Sequence, residues 1–292
     1  MVGRTAAIAV AALLAFLGLG QPATLAGDQP QAKGPRAKVS SGRAARLEAI
    51  RQIPWEELDE QAAANVRYVV ENAGLFRRLP AQSIECDPTF FTFLLEHPDV
   101  VVNIWRVLKL SDVHLRRVEE GVFRADDRSG TTGSLCFVHR GENLHVVYGE
   151  GRYEGQLLAR PVRGQCVLVL HTDHAIERDG RAVVTCRIDA FVHLENVGVD
   201  VLARTFQPLL GRTADHNLRE TAQFVAMLHR AAEINQEGVL HVAERLTDVA
   251  DEDRRRFVEL AEQVAVQAAL LASEEATARR AAGRPAGTRT SR

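Results

Sequence analysis

The chain is short of rings: only 5% of its 292 residues are aromatic. A platform that stacks nucleobases is hard to build from so few. It also lacks a net field of one sign, since the formal charge is -2. Nothing therefore draws it to a phosphate backbone, and nucleic acid is not an expected partner. Long apolar runs are nearly absent. The one at residues 6–19 is too short for a comfortable span of ~20 residues. It follows Arg4 and ends in Gln-Pro-Ala-Thr-Leu-Ala-Gly. That is the pattern of a secretory signal peptide over residues 1–26, with an uncleaved anchor as the alternative. No cysteine stands near the cleavage point, which speaks against lipid attachment. The mature chain is expected to carry no membrane span and to be secreted or periplasmic.

Catalytic signatures are missing as well. No Gly-x-Ser-x-Gly is present, and Ser129 and Ser134 sit in a Gly/Thr-rich turn instead of a nucleophile elbow. Asp126-Asp127-Arg128 lacks the spacing and terminal Glu of a calcium loop. Gly149-Glu150-Gly151 has no helix after it and is no phosphate cradle. No internal repeat is found. No cofactor and no catalytic residue is assigned.

What is present is a long two-residue period. From Arg181 the even positions run Ala182, Val184, Cys186, Ile188, Ala190, Val192 and Leu194, while the odd ones include Arg181, Thr185, Arg187, Asp189 and His193. Such alternation predicts a strand with a dry face and a wet face. The preceding arm, from Cys166 to Glu177, makes it a hairpin. A three-residue loop, Arg178-Asp179-Gly180, pairs Glu177 with Arg181 and keeps even opposite even. In this register Cys186 faces Thr172 and Cys166 faces Val192. The two thiols are then too far apart for a disulfide and are expected to be buried and free. Whether Cys86 and Cys136 pair is left open by the sequence.

Along the chain, residues 27–41 are rich in Gly, Pro, Gln and Lys and read as a disordered linker. N-terminal helices are expected over residues 42–78, the first capped by Ser40 or Ser41 and the second running over 55–73 after Pro54. A short strand near 83–86 precedes Asp87-Pro88, a cap followed by proline at the first helical position. A second short helix begins at Pro98. Strands are predicted near 116–125, 131–140, 143–150, 156–162, 165–177 and 181–195. Short turns between them make them antiparallel. A helix begins at Asn196, is interrupted near Pro208, and restarts at Asp215 or Asn217 with a stripe of Leu218, Thr221, Val225, Leu228 and Ala232. Helices carrying Val239–Leu246 and residues 251–280 form a C-terminal extension over 236–280. Residues 281–292 read as a disordered tail.

His171, Asp173 and His174 form the one chemical-looking cluster. On a strand His171 and Asp173 share a face that His174 does not, so they do not converge on a metal, and none is expected. His174, among Leu170, Ile176 and Val184, reads as a satisfied core histidine or as a polar handle in an apolar pocket.

The order strand, two short helices, antiparallel strands and long helix resembles the START-like, or SRPBCC, helix-grip superfamily of polyketide cyclase and lipid-transport proteins. The resemblance rests on Ile84-Glu85-Cys86-Asp87-Pro88-Thr89-Phe90-Phe91 and on Asp127-Arg128-Ser129-Gly130. It rests most on Phe191-Val192-His193-Leu194 leading to Phe206-Gln207-Pro208-Leu209-Leu210-Gly211 and to Asn217, Glu220, Phe224 and Leu228. It covers residues 79–235. It implies an α+β fold in which a curved antiparallel sheet grips a long C-terminal helix, here with extra helices at both ends. It also implies a hydrophobic ligand held between sheet and helix, and no family catalytic motif is matched. The signal peptide and the added helices depart from the family pattern.

The expected function is an exported binding protein for a hydrophobic or amphipathic small molecule, including lipid. The residues expected to line the site are Tyr148, Leu168, Leu170, His174, Ile188, Ala190, Val192, Phe206, Phe224 and Leu228. The alternative is a structural or interaction protein with a filled core that docks a protein partner through its C-terminal helices. An enzyme acting through His174 and Tyr148 is the third reading.

Overall fold

The computed structural model describes residues 42–154, 161–178, 180–195 and 214–282. Helix α1 (Arg43–Arg51) starts after Gly42 with no side-chain cap. Ser40 and Ser41 lie outside the described residues. The helix expected over 55–73 is broken. Trp55–Glu57 form one tight turn and Leu58 is extended. The helix proper, α2 (Glu60–Asn72), begins where the Asp59 carboxylate accepts from the Ala62 N–H at 2.7 Å. An aspartate that satisfies an otherwise orphaned first-turn donor is a stronger start signal than Pro54.

Strand β1 (Leu75–Arg78) follows where the second helix was expected to end, in a stretch grouped with the N-terminal helices. Its pairing partner decides the matter. It runs antiparallel to the last strand, Phe76 packs on Phe191 with ring centres 4.8 Å apart, and Arg78 meets Asp189. Pro80 has no N–H for a ladder, and the edge strand resumes as β2 (Gln82–Glu85). Asp87 then caps α3 (Pro88–Glu96), accepting from the Phe90 N–H at 2.9 Å, and α4 (Pro98–Val107) follows with Pro98 in its first turn.

The strand expected at 116–125 is a tight hairpin, β3 (His114–Glu119) and β4 (Val122–Asp126). Gly121, at φ 69°, makes the turn. Next, β5 (Thr131–Arg140) and β6 (Leu144–Tyr153) are followed by β7 (Val162–Ile176) and β8 (Ala182–Leu194). The separate strand expected at 156–162 falls almost wholly outside the described residues. The β7–β8 register is the expected one, with Thr172 opposite Cys186 and Cys166 opposite Val192. Glu177 N–H donates to the Arg181 carbonyl at 2.8 Å, and Gly180 has φ 83°. Among the described residues the sheet has eight strands in the order β1-β8-β7-β6-β5-β4-β3, with β2 also on the β8 edge.

Helix α5 (Ala214–Ile234) packs along β2. Then α6 (Gln236–Glu244) and α7 (Asp251–Ala282) fold back against α5 and α3. Asn235 caps α6 by accepting from the Gly238 N–H at 3.2 Å. The result is an α+β helix-grip fold with extra helices at both ends. None of the described helices is long and apolar enough to cross a membrane.

Both faces of the sheet are buried. Leu168, Leu170, Ile188 and Val192 share one core with α3, α4, α5, α6 and α7 on the inner face. Val146, Val167, Val169 and Phe191 share another with α1 and α2 on the outer face. The outer face was expected to be wet. Its odd-numbered polar residues are present, but Val66, Val69 and Val70 of α2 cover Val167 and Phe191 between them. The unbroken run Val167–Leu170 is the signature of a strand buried on both sides.

Candidate functional site

The inner face puts five of the expected residues on one surface. Leu168 is opposite Ala190, Leu170 is opposite Ile188, and Val192 is opposite Cys166. All five are buried, as are Phe224 and Leu228 on α5. Phe224 meets Trp105 of α4 edge-on at 5.6 Å. Small side chains recur here: Cys166, Cys186, Ala190 and Gly149. A Cβ at Gly149 would stand 2.7 Å from the Cys166 Sγ, so the thiol occupies the glycine's missing volume. None of the four cysteines forms a disulfide. Burial pushes the Cys166 and Cys186 thiols up to about 12, and it raises Cys86 too.

Two expected site residues are placed otherwise, and a third is outside the described residues. Tyr148 faces outward, because β6 pairs with β7 as Tyr148 opposite Val167, so even positions of one strand share a face with odd positions of the other. Its hydroxyl donates to Glu150 and accepts from Gln165, and burial pushes its pKa up to about 12. His174 has the inward parity but is exposed, as are its neighbours Asp173, Ala175 and Ile176. It is neither a core histidine nor a pocket residue. Phe206 lies outside the described residues, together with the helix expected from Asn196.

Polar groups missed by sequence reasoning stand on the first two turns of α5. Asn217 is 4% exposed and its Nδ2 has no hydrogen-bond partner, and the buried Thr221 Oγ1 has none either. The two are four residues apart and so lie on one side of the helix. The same side carries Leu218, Val225 and Leu228 in the inner core. The start of α5 is held to β1 by Arg77 Nη2 and Asp215 Oδ2 at 2.6 Å. Arg77 pairs with Ala190, which places it on the inner face. Its Nε and the Asp215 Oδ1 are buried without partners. The signal in the sequence was two polar residues inside an otherwise apolar stripe.

A second polar cluster joins α4, β3 and α7. Asp99, in the first turn of α4, is 0% exposed and neither carboxylate oxygen has a hydrogen-bond partner. Burial, then the nearby Asp253, push its carboxyl up to about 6. Asp253 lies 3.3 Å from His97 Nε2 and 3.0 Å from Arg117 Nη2. A surface cleft of about 570 Å³ opens beside it, lined by Glu96, His97, Arg117, Phe123, Arg140 and Glu252 among others. His145 Nε2 lies 3.1 Å from Glu96 and holds that carboxyl below its usual range. The cleft contains none of the expected ligand residues. Among the described residues no three His, Cys, Asp or Glu side chains are grouped to hold a metal.

On the outer face the buried Asp189 receives Arg78 in a two-point contact, Nε at 2.7 Å and Nη2 at 2.9 Å. Glu48 of α1 binds the same guanidinium at 3.1 Å. His171 stands 3.7 Å from Asp189, and burial, aided by Arg187, pushes its pKa down to about 4. This network fastens α1 to the sheet.

The helix-grip class is defined by the sheet and its helices. No family model matches the chain, and no curated protein does. Among solved structures it is similar to a conserved protein from Geobacillus kaustophilus, at 11% identity and a TM-score of 0.33, over 50% of this chain and 92% of that one. It is also similar to Ara h 8.0201, at 10% identity and a TM-score of 0.31, over 51% of this chain and 97% of that one.

Proposed function

We propose that the chain is an exported binding protein for a hydrophobic or amphipathic small molecule, lipid included, held between the inner sheet face and α5. The observation that carries this reading is the pair of buried, unpartnered polar atoms on Asn217 and Thr221 within an apolar wall. A buried polar group left unpaired costs about 1–3 kcal/mol. A few polar groups set in an apolar wall are also the usual makeup of a small-molecule site. Export is supported by the N-terminal run. Deep burial of Cys86, Cys166 and Cys186 suits an oxidising compartment, because little thiolate forms to exchange. The reading assigns no catalytic residue and no cofactor.

The test is titration with N-phenyl-1-naphthylamine, whose fluorescence rises in apolar surroundings. The wild-type chain is expected to bind it. Ala190→Trp, which fills the wall, is expected to weaken uptake by about tenfold or more, worth ~1.4 kcal/mol, while harming stability less than Ile188→Asp. Equal loss of stability in the two variants, or no uptake by the wild type, would favour a filled core.

A second reading is supported by α7. Its last buried residue among those described is Val264, and beyond it Val266 and Leu270 are 61% and 53% exposed. A protein partner docking there would make deletion of the residues after Ala265 abolish a concentration-dependent rise in mass by light scattering.

A further inference from the structure

We infer that the joint where α3, α4 and β3 meet the first turn of α7 is a pH-sensitive clasp, which takes up a proton when α7 docks, so that α7 opens more readily as the pH rises from about 5.5 to about 7.5. The hydrogen-bond geometry at His97 fixes the proton count. His97 ends α3 and begins α4. Its Nδ1 lies 3.0 Å from the Phe93 carbonyl oxygen, and its Nε2 lies 3.3 Å from Asp253 Oδ1. A carbonyl and a carboxylate both accept and cannot donate. The neutral imidazole carries one N–H and satisfies one of these partners, whereas the imidazolium carries two and satisfies both. A proton placed on Asp253 and donated to Nε2 gives the same count. The Phe93 contact lies within α3, so the neutral ring suffices once α7 has left. Asp99 acts in the same sense. It is 0% exposed with neither oxygen partnered. Burial, then Asp253, favour its protonated form, and undocking takes Asp253 away.

The other charged groups at the joint do not reverse the sign. Arg117 of β3 meets Asp253 Oδ2 at 3.0 Å and also pairs with Glu252, and its charge is constant. Glu96 at the end of α3 is held by His145 of β6, and neither of them is on α7. Glu119, Glu120 and Arg140 line the open cleft beside the joint. His114 of β3 faces Asp248, ahead of α7, and His229 of α5 faces Glu233. Burial favours the neutral form of both histidines. What the clasp holds down is apolar. Phe257 of α7 packs on Phe90 and Phe93 with ring centres 5.9 and 6.5 Å apart, and Leu260, Ala261 and Val264 extend the buried stripe. Opening is therefore rare at every pH, and the proton sets how rare.

The experiment is hydrogen exchange of the full chain, read by mass spectrometry as protection factors, which remove the intrinsic pH dependence of exchange. Protection over residues 254–264 is divided by protection over the β7–β8 hairpin, so that global unfolding cancels. The wild-type ratio is expected to fall about tenfold or more between pH 5.5 and pH 7.5, since one linked proton gives at most about tenfold per pH unit. The double variant His97→Gln/Asp99→Asn, whose amides donate but do not titrate, is expected to change by less than about threefold over the same range. A wild-type ratio that stays flat, or that rises with pH, overturns the inference without any variant. So does a folded double variant that keeps the wild-type fall.

Discussion

Asp99→Asn is expected to stabilise the protein at neutral pH. The wild-type carboxyl is fully buried in the first turn of α4, with neither oxygen partnered, and faces Asp253 on α7. The positive end of α4 favours its charge, as do His97 and Arg117, but burial outweighs them and the pKa rises from 3.8 to about 6. At about 1.36 kcal/mol per pH unit this corresponds to about 3 kcal/mol. The folded chain holds the Asp99 proton more tightly than the unfolded chain does. Its contribution is therefore fully present below pH 4 and is lost as the pH rises through about 6. An amide does not titrate. The difference in unfolding free energy, variant minus wild type, is expected to grow by about 3 kcal/mol between pH 4 and pH 8. Urea denaturation of both proteins at four or five pH values measures it. A difference that stays flat with pH, or that falls as pH rises, would refute the reasoning.

Two further outcomes follow from the same geometry. Arg78→Met is expected to cost about 3–5 kcal/mol by urea denaturation, because it strands the buried Asp189 charge, whereas Arg78→Met/Asp189→Leu is expected to recover most of that loss. Equal stability of the single and double variants would show that Asp189 is compensated elsewhere. Gly149→Ala forces a Cβ to 2.7 Å from the Cys166 Sγ and 3.0 Å from Leu135 Cδ2, and is expected to cost about 1–3 kcal/mol. Adding Cys166→Ala is expected to return part of it in thermal melts, and an additive double variant would contradict the clash.

The hairpin was legible because its constraints were local. Gly180 fixed the turn, and even-to-even parity then fixed the partners of Cys166 and Cys186. Asp87-Pro88 was legible for the same reason: cap and proline act on their own helix. The misses were non-local. Leu75–Arg78 has no period to read and becomes a strand only because β8 has a free edge beside it. The stripe Val66-Val69-Val70 was visible, but nothing in it says that it covers Phe191. Tyr148 was assigned to the wrong face because parity carries across one hairpin and not across the next, where paired numbers sum to an odd value. His174 failed because parity gives direction and not cover. Asn217 was read as a possible start of its helix and Thr221 as a member of the stripe. Their lack of partners appears only once the surrounding side chains are placed.

Native mass spectrometry of the mature chain, exported by its host and purified without detergent, tests the central claim most directly. The account predicts an added mass that leaves on denaturation, extracts into organic solvent and is missing from Ala190→Trp. A wild-type chain at its bare mass, still bare after incubation with parinaric acid and with N-phenyl-1-naphthylamine, would contradict it and leave the sheet and α5 as a filled core.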